Sequence, residues 1–161
     1  MTLVENMSEP ERRSWATLIV DVTVFVVFLK NMLRKGGVEN LSPGDMIGLY
    51  IWIIVATIIM HIIIAGVFAS RVKSSGYESD ERDVEIERKG ARNGFWVVGI
   101  AINIIIFMFL MENAYPAEYG PIPGLSFLTP SHMFFALMGT MFLGDIVYRA
   151  TMVLAYRQDA L

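Results

Sequence analysis

Four long apolar runs, at about residues 15–33, 46–69, 94–111 and 132–156, alternate with shorter polar segments along the chain. Each approaches or exceeds the roughly 20 residues that an α-helix needs to cross a hydrocarbon core of about 30 Å. In such a core the backbone must satisfy its own hydrogen bonds, so the runs predict helices rather than open strands. The expected fold is an all-α integral membrane protein, one domain over residues 1–161, with four transmembrane helices in an up-down-up-down bundle.

The polar segments supply the ends of these helices. Residues 1–13 are acid-rich, with Glu5, Glu9 and Glu11 ahead of Arg12 and Arg13, and the first run ends in Arg34-Lys35 without a small-residue cleavage site. It therefore reads as a retained span and not as a signal peptide. Lys30 lies near its far end, where it can snorkel to the headgroups. Ser42-Pro43-Gly44-Asp45 reads as a helix start, with Ser42 as N-cap, Pro43 in the first turn and Asp45 three residues after the cap. Ser79 is the expected N-cap of a helix running from Asp80 into the third span. Early acids (Asp80, Glu81, Asp83) and later bases (Arg88, Lys89, Arg92) suit its dipole, and Glu85 with Lys89 forms an i,i+4 pair. Between residues 112 and 131, Pro116, Gly120, Pro121, Pro123, Gly124 and Pro130 preclude a continuous helix.

Small residues mark where helices can approach. Gly90-x-x-x-Gly94 reads either as a close helix contact or as flexibility at the membrane edge, and Ala136, Thr140 and Gly144 form a small-residue seam on the fourth helix.

Composition narrows the class further. The chain is 55% hydrophobic with a mean hydropathy of +0.52, above the roughly 45–50% of an average soluble domain. With no cysteine, disulfides, thiolate metal sites and thiol redox chemistry are excluded. No phosphate-binding glycine loop, nucleophile elbow or zinc-protease helix is present. The expectation is therefore a non-enzyme with no cofactor, no metal and no direct nucleic-acid partner. His132 lies near the outer end of its span and His61 at mid-depth, so the two do not clamp one haem. Met138, Met141 and Met152 share the Asp145 side of the fourth helix, and adaptable packing accounts for them.

Bases set the orientation. Arg12, Arg13, Arg71, Lys73, Arg82, Arg88, Lys89, Arg92 and Arg157 fall on one side of a four-span layout, and only Arg34 and Lys35 fall near the other surface. The positive-inside rule then puts both termini and the charged segment 71–93 in the cytoplasm of a cell (inner) membrane.

Asp80-Glu81-Arg82-Asp83-x-x-Ile86-Glu87-x-Lys89-x-x-Arg92, followed by an aromatic-containing span, resembles a family of small uncharacterised prokaryotic membrane proteins in which an Asp-Glu-Arg-like motif precedes a membrane helix. The likeness covers about 25 residues. It implies a helical membrane protein, some relatives of which look like partners of small DNA-binding regulators, and it supplies no catalytic residue. The charged start of this helix, at Asp80, Glu81, Arg82 and Asp83, is the expected contact with a cytoplasmic protein partner.

Each span also carries one polar residue at a similar depth. At 1.5 Å rise per residue, Asp21 lies about 12 Å in from the cytoplasmic end of its span, His61 and Asn103 about 15 Å, and Asp145 about 16 Å. Arg149 is one turn cytoplasmic of Asp145. Ser14 and Thr17 extend Asp21 into a polar stripe, Thr57 accompanies His61, and Gly99 leaves room beside Asn103. Charged groups at mid-depth are costly unless they face one another or water. The group can relay protons or hold a cation, or it can join the helices by polar contacts. Two function classes follow: a membrane accessory or regulatory protein presenting its charged cytoplasmic helix to a partner, and a proton- or cation-linked transporter built on the polar layer. A homodimer fits so small a bundle with small-residue seams.

Overall fold

The computed structural model describes residues 7–75, 80–115 and 126–158, with backbone only for 70–75. These residues form four helices, α1 (Glu9–Arg34), α2 (Pro43–Ser75), α3 (Glu81–Ala114) and α4 (Pro130–Gln158), with a single 3-10 turn at Val38–Asn40 between the first two. All four are long and apolar enough to cross a membrane. Glu5, Ser79 and the loop positions Pro116, Gly120, Pro121, Pro123 and Gly124 lie outside the described residues.

Local chemistry explains the helix ends. Ser8 caps α1 by accepting from the Glu11 amide. At the other end Gly36 and Gly37 adopt positive φ (94° and 86°), and their amides return to the Leu33 and Met32 carbonyls. This closure needs left-handed backbone, which glycine adopts without strain. At the start of α2 the Asp45 amide donates to Ser42 Oγ (3.2 Å) and the Ser42 amide to Asp45 Oδ2 (3.2 Å), a reciprocal cap. Lys35 adds an ion pair to Asp45 across the connection.

The cap of α3 differs from the expectation. Asp80, not Ser79, is the N-cap: its carboxylate accepts from the Asp83 amide, and the Asp83 carboxylate accepts from the Asp80 amide. A carboxylate there also complements the helix dipole. From that cap α3 continues unbroken through Gly90 and Gly94 into its apolar part.

The neighbours run in the order α2, α1, α4, α3, and no extensive interface joins α2 to α3. Instead of a closed bundle, the two outer helices face each other across a cavity at one end. The central helix α4 buries residues on two sides. Towards α1 and α2, Phe142 and Met138 pack with Val24, Phe28, Met32, Leu49 and Ile53; Phe28 is fully buried, and its ring stacks on Phe142 at 5.9 Å between centroids. Towards α3, Met152, Ala155 and Tyr156 pack on Ile86. Met138 and Met152 thus fill two separate cores, whereas Met141 is exposed.

Glycines set the α3–α4 distance. A Cβ on Gly90 would stand 2.8 Å from the Tyr148 carbonyl oxygen, one on Gly94 would stand 2.9 Å from the Gly144 carbonyl oxygen, and one on Gly144 would meet the Val98 side chain. The Gly90-x-x-x-Gly94 spacing is therefore a close-contact seam, paired with the glycine end of the Ala136, Thr140, Gly144 seam. Along α2 and α3, by contrast, most large apolar side chains are exposed, among them Ile51, Ile58, Ile62, Phe95, Ile100 and Phe107.

Candidate functional site

The buried face of α1 changes character halfway along. Its first half is polar, with Glu11, Ser14, Thr17 and Asp21 all buried; its second half is apolar, with Val24, Phe28 and Met32. Spacings of three and four residues keep all seven on one helical face. Ser14 and Thr17 satisfy their hydroxyls on the Pro10 and Arg13 carbonyls of their own helix, as such residues commonly do. Asp21 has no such local partner. It lies 3.6 Å, Oδ1 to Nε2, from His61 on α2, whose Nδ1 is 2.9 Å from the Thr57 carbonyl. A carbonyl oxygen only accepts, so Nδ1 carries the proton and Nε2 faces Asp21 either as a lone pair or as a second N–H.

Asp145 and Arg149 of α4 are both near enough to act electrostatically on Asp21, and Asp145 is near enough to act on His61 as well. Of these two, Arg149 lines the same cavity as His61, and its guanidinium lies 4.3 Å over the Tyr148 ring. Asp145 is exposed in a groove between α3 and α4, beside Gly94, Val98 and Gly144. The structure thus brings four of the five polar-layer residues into one electrostatic group, and Asn103 is not among them. That residue is exposed on α3, where its amide donates to the Gly99 carbonyl one turn back (2.8 Å). Equal depth did not fix its rotation, and close packing through Gly90 and Gly94 turns Asn103 away from α4.

A cavity of about 550 Å³ joins this group to one end of the molecule. Its walls include Glu9, Arg13, Ser14 and Thr17 of α1, His61 of α2, Asp83 and Glu87 of α3, and Tyr148, Arg149 and Tyr156 of α4. Two atoms of these wall residues, Glu9 Oε2 and Arg149 Nε, are buried without a hydrogen-bond partner among the described residues. Ile64, Ala65 and Phe68 of α2 and Met152 of α4 also line the walls, so the lining is mixed; a space of this size has room for several waters, each occupying about 30 Å³ in the liquid, beside its polar groups. Its far end reaches His61, with Asp21 behind.

The charged start of α3 forms part of that wall. Tyr156 donates to Asp83 (3.0 Å) and Tyr148 to Glu87 (3.2 Å). Of the four residues expected to meet a partner, Asp80 and Asp83 are engaged in the cap and Asp83 also holds Tyr156, whereas Glu81 and Arg82 are exposed. Nearby, Glu11 Oε1 lies 2.7 Å from Arg157 Nε. The N–H is not aimed at the oxygen, so the contact is an ion pair and not a directed hydrogen bond.

Some of these contacts escaped sequence reading. Tyr148 and Tyr156 fall two turns apart on α4, but nothing local assigned them acids 61 and 73 residues away. A second polar knot lies at the opposite end of α3: buried Glu112 accepts from Ser126 Oγ and from the Phe127 amide (2.8 Å), and the Ser126 amide donates to Nδ1 of buried His132 (3.2 Å). Its only local signal was an acid at the end of an apolar run. Groups of three or more metal-ligating side chains are absent among the described residues. Comparison with protein-family models, with curated proteins and with solved structures finds no match, so the likeness of residues 80–92 to a membrane-protein family rests on those residues alone.

Proposed function

We propose that the protein is a multi-pass membrane protein of the cell membrane that admits protons from the cytoplasm to a mid-membrane site at His61 and Asp21, in support of proton- or cation-linked transport. The observation that carries this reading is the cavity that reaches His61 between walls bearing Glu9, Arg13, Asp83, Glu87 and Arg149, with the Asp21 carboxylate buried 3.6 Å behind the imidazole. Water delivers a proton to Nε2, and the carboxylate stabilises or accepts it. Charge counting gives the same direction. Asp21 and Asp145 carry two negative charges against one permanent positive charge on Arg149, so with His61 neutral the group needs one proton or one monovalent cation to balance. In a low dielectric that imbalance is costly. The other charged groups on the cavity wall are Glu9 and Arg13 of α1 and Asp83 and Glu87 of α3.

The up-down orientation belongs to this proposal. Glu11 with Arg157, and Asp83 with Tyr156, gather the start of α1, the start of α3 and the end of α4; Lys35 with Asp45 joins the end of α1 to the start of α2. Most bases fall at the first of these ends, which the positive-inside rule makes cytoplasmic, and the cavity opens there.

Proteoliposomes with an imposed potential and an internal pH dye test the site. The unaltered protein should pass protons or exchange them for a cation, and Asp21→Asn, which keeps the side chain's shape, should abolish the signal while circular dichroism is unchanged. Full flux in Asp21→Asn would reduce the polar group to a structural join and end the proposal.

The accessory or regulatory reading retains one specific support. Glu81, Arg82, Glu85, Arg88, Lys89 and Arg92 are all exposed on α3, a charged face suited to a cytoplasmic protein. Pull-down with Glu81→Ala/Glu85→Ala against the unaltered chain tests it; a partner whose capture ignores these changes would count against it.

A further inference from the structure

Asn103 stands at the centre of the apolar part of α3, eight residues from Phe95 and eight from Met111. It is exposed, and every other exposed residue in that stretch is apolar. One amide N–H is used on the Gly99 carbonyl, and Oδ1 has no partner among the described residues. An amide oxygen left against hydrocarbon is costly, since nothing there can donate to it. The face around it is patterned. Trp96, Gly99, Asn103, Ile106 and Leu110 follow a 3-4-3-4 spacing, the heptad seam of a helix pair. At 100° per residue Asn103 lies diametrically opposite Gly94, so the seam points away from α4. Gly99 meets nothing within 4 Å of where its Cβ would stand, and a groove of about 570 Å³ runs beside it between Trp96, Ile100 and Phe107.

Exposed apolar surface alone would be lipid-facing, and α2 shows that case. Between Ile51 and Val67 every exposed residue of α2 is apolar or glycine. The outer face of α3 differs by its central amide and its heptad order. We propose that this face binds the same face of a second copy of the chain, forming a two-fold symmetric α3–α3 pair. A carboxamide is both donor and acceptor, so two Asn103 side chains related by a two-fold axis satisfy each other, which is what an isologous contact requires. Glycine at position 99 lets the backbones approach beside the amides, and one asparagine at an inward heptad position selects register and a two-helix state. The charged residues of α3 lie outside this seam, in the segment before Gly94 and at buried Glu112 near the other end.

The absence of cysteine makes the test direct, because any disulfide formed by a single introduced cysteine joins two chains. Gly99→Cys and Ile106→Cys on the seam, oxidised in native membranes, should cross-link to dimer many-fold more than Ile58→Cys or Ile62→Cys, both exposed on α2. Equal or greater cross-linking at Ile58 or Ile62 would overturn the proposal. Resonance energy transfer between labelled full-length chains in liposomes supplies the second measurement. Asn103→Leu should raise the dimer dissociation constant about three- to thirty-fold, the range of interhelical polar contacts in membranes. Dimerisation as tight as that of the unaltered chain would show that the amide is not what joins the copies.

Discussion

Asp21 and His61 owe their chemistry to what surrounds them. A carboxylate beside an imidazole is common on protein surfaces, but here the acid is buried and the imidazole is the only one of the pair on the cavity wall. At this scale the glycines are the most sensitive positions. Gly94→Ala places a methyl group 2.9 Å from the Gly144 carbonyl oxygen, and backbone cannot yield as a side-chain tip can. We expect Gly94→Ala to cost about 1–3 kcal/mol, read as a lowered thermal midpoint in detergent. Gly48→Ala on α2, where nothing lies within 4 Å, should be neutral or slightly stabilising, because alanine restricts the unfolded chain. Phe28→Ala, at a fully buried ring, should cost about 3–5 kcal/mol in the same assay.

Among the elements, α3 joins a charged first part to a long apolar one, and the two are stabilised differently. Its first turns depend on the Asp80–Asp83 cap and on the tyrosines of α4, while its apolar part is held to α4 by the glycine seam. Asp80→Ala should therefore cost about 1 kcal/mol and raise amide exchange over residues 81–86 without reaching residues 95–111. Asp83→Ala should cost more than Asp80→Ala, since it removes both the reciprocal cap and the acceptor of Tyr156. The same hydrogen bond makes a specific expectation for Tyr156→Phe: exchange over the first turns of α3 should rise, less than in Asp83→Ala, and adding Tyr156→Phe to Asp83→Ala should change little beyond Asp83→Ala alone.

For the whole molecule, the row α2–α1–α4–α3 leaves both outer helices with wide apolar faces and a cavity of mixed lining between them at one end. Orientation in the membrane is testable on exposed positions at the two ends. With Glu85→Cys and Leu128→Cys as single cysteines, an impermeant maleimide added to intact cells should label Leu128→Cys and spare Glu85→Cys until the membrane is opened. The reverse pattern would place the cavity mouth outside the cell and invert the direction of proton entry. Cavity hydration has its own measure: a cysteine at Thr17, on the cavity wall, should react with a small maleimide from the cytoplasmic side, whereas one at Val24, in the apolar core, should not.

Run length and hydropathy by themselves determined the number and approximate limits of the helices, because crossing a bilayer is a one-dimensional constraint that each segment meets alone. The Ser42 cap was legible for a similar reason, since its partners lie within three residues. Counting residues from the helix ends set Asp21, His61, Asn103 and Asp145 at a similar expected depth. Rotation was not legible. Which face of a helix turns inward is decided by packing against helices distant in sequence, and the meeting of Gly90 and Gly94 with Tyr148 and Gly144 directs Asn103 outward and brings Glu87 to Tyr148. The neighbour order and the cavity were equally beyond local reading: both arise from contacts between α1 and α4, separated by most of the chain, and only the tertiary structure brings those surfaces together.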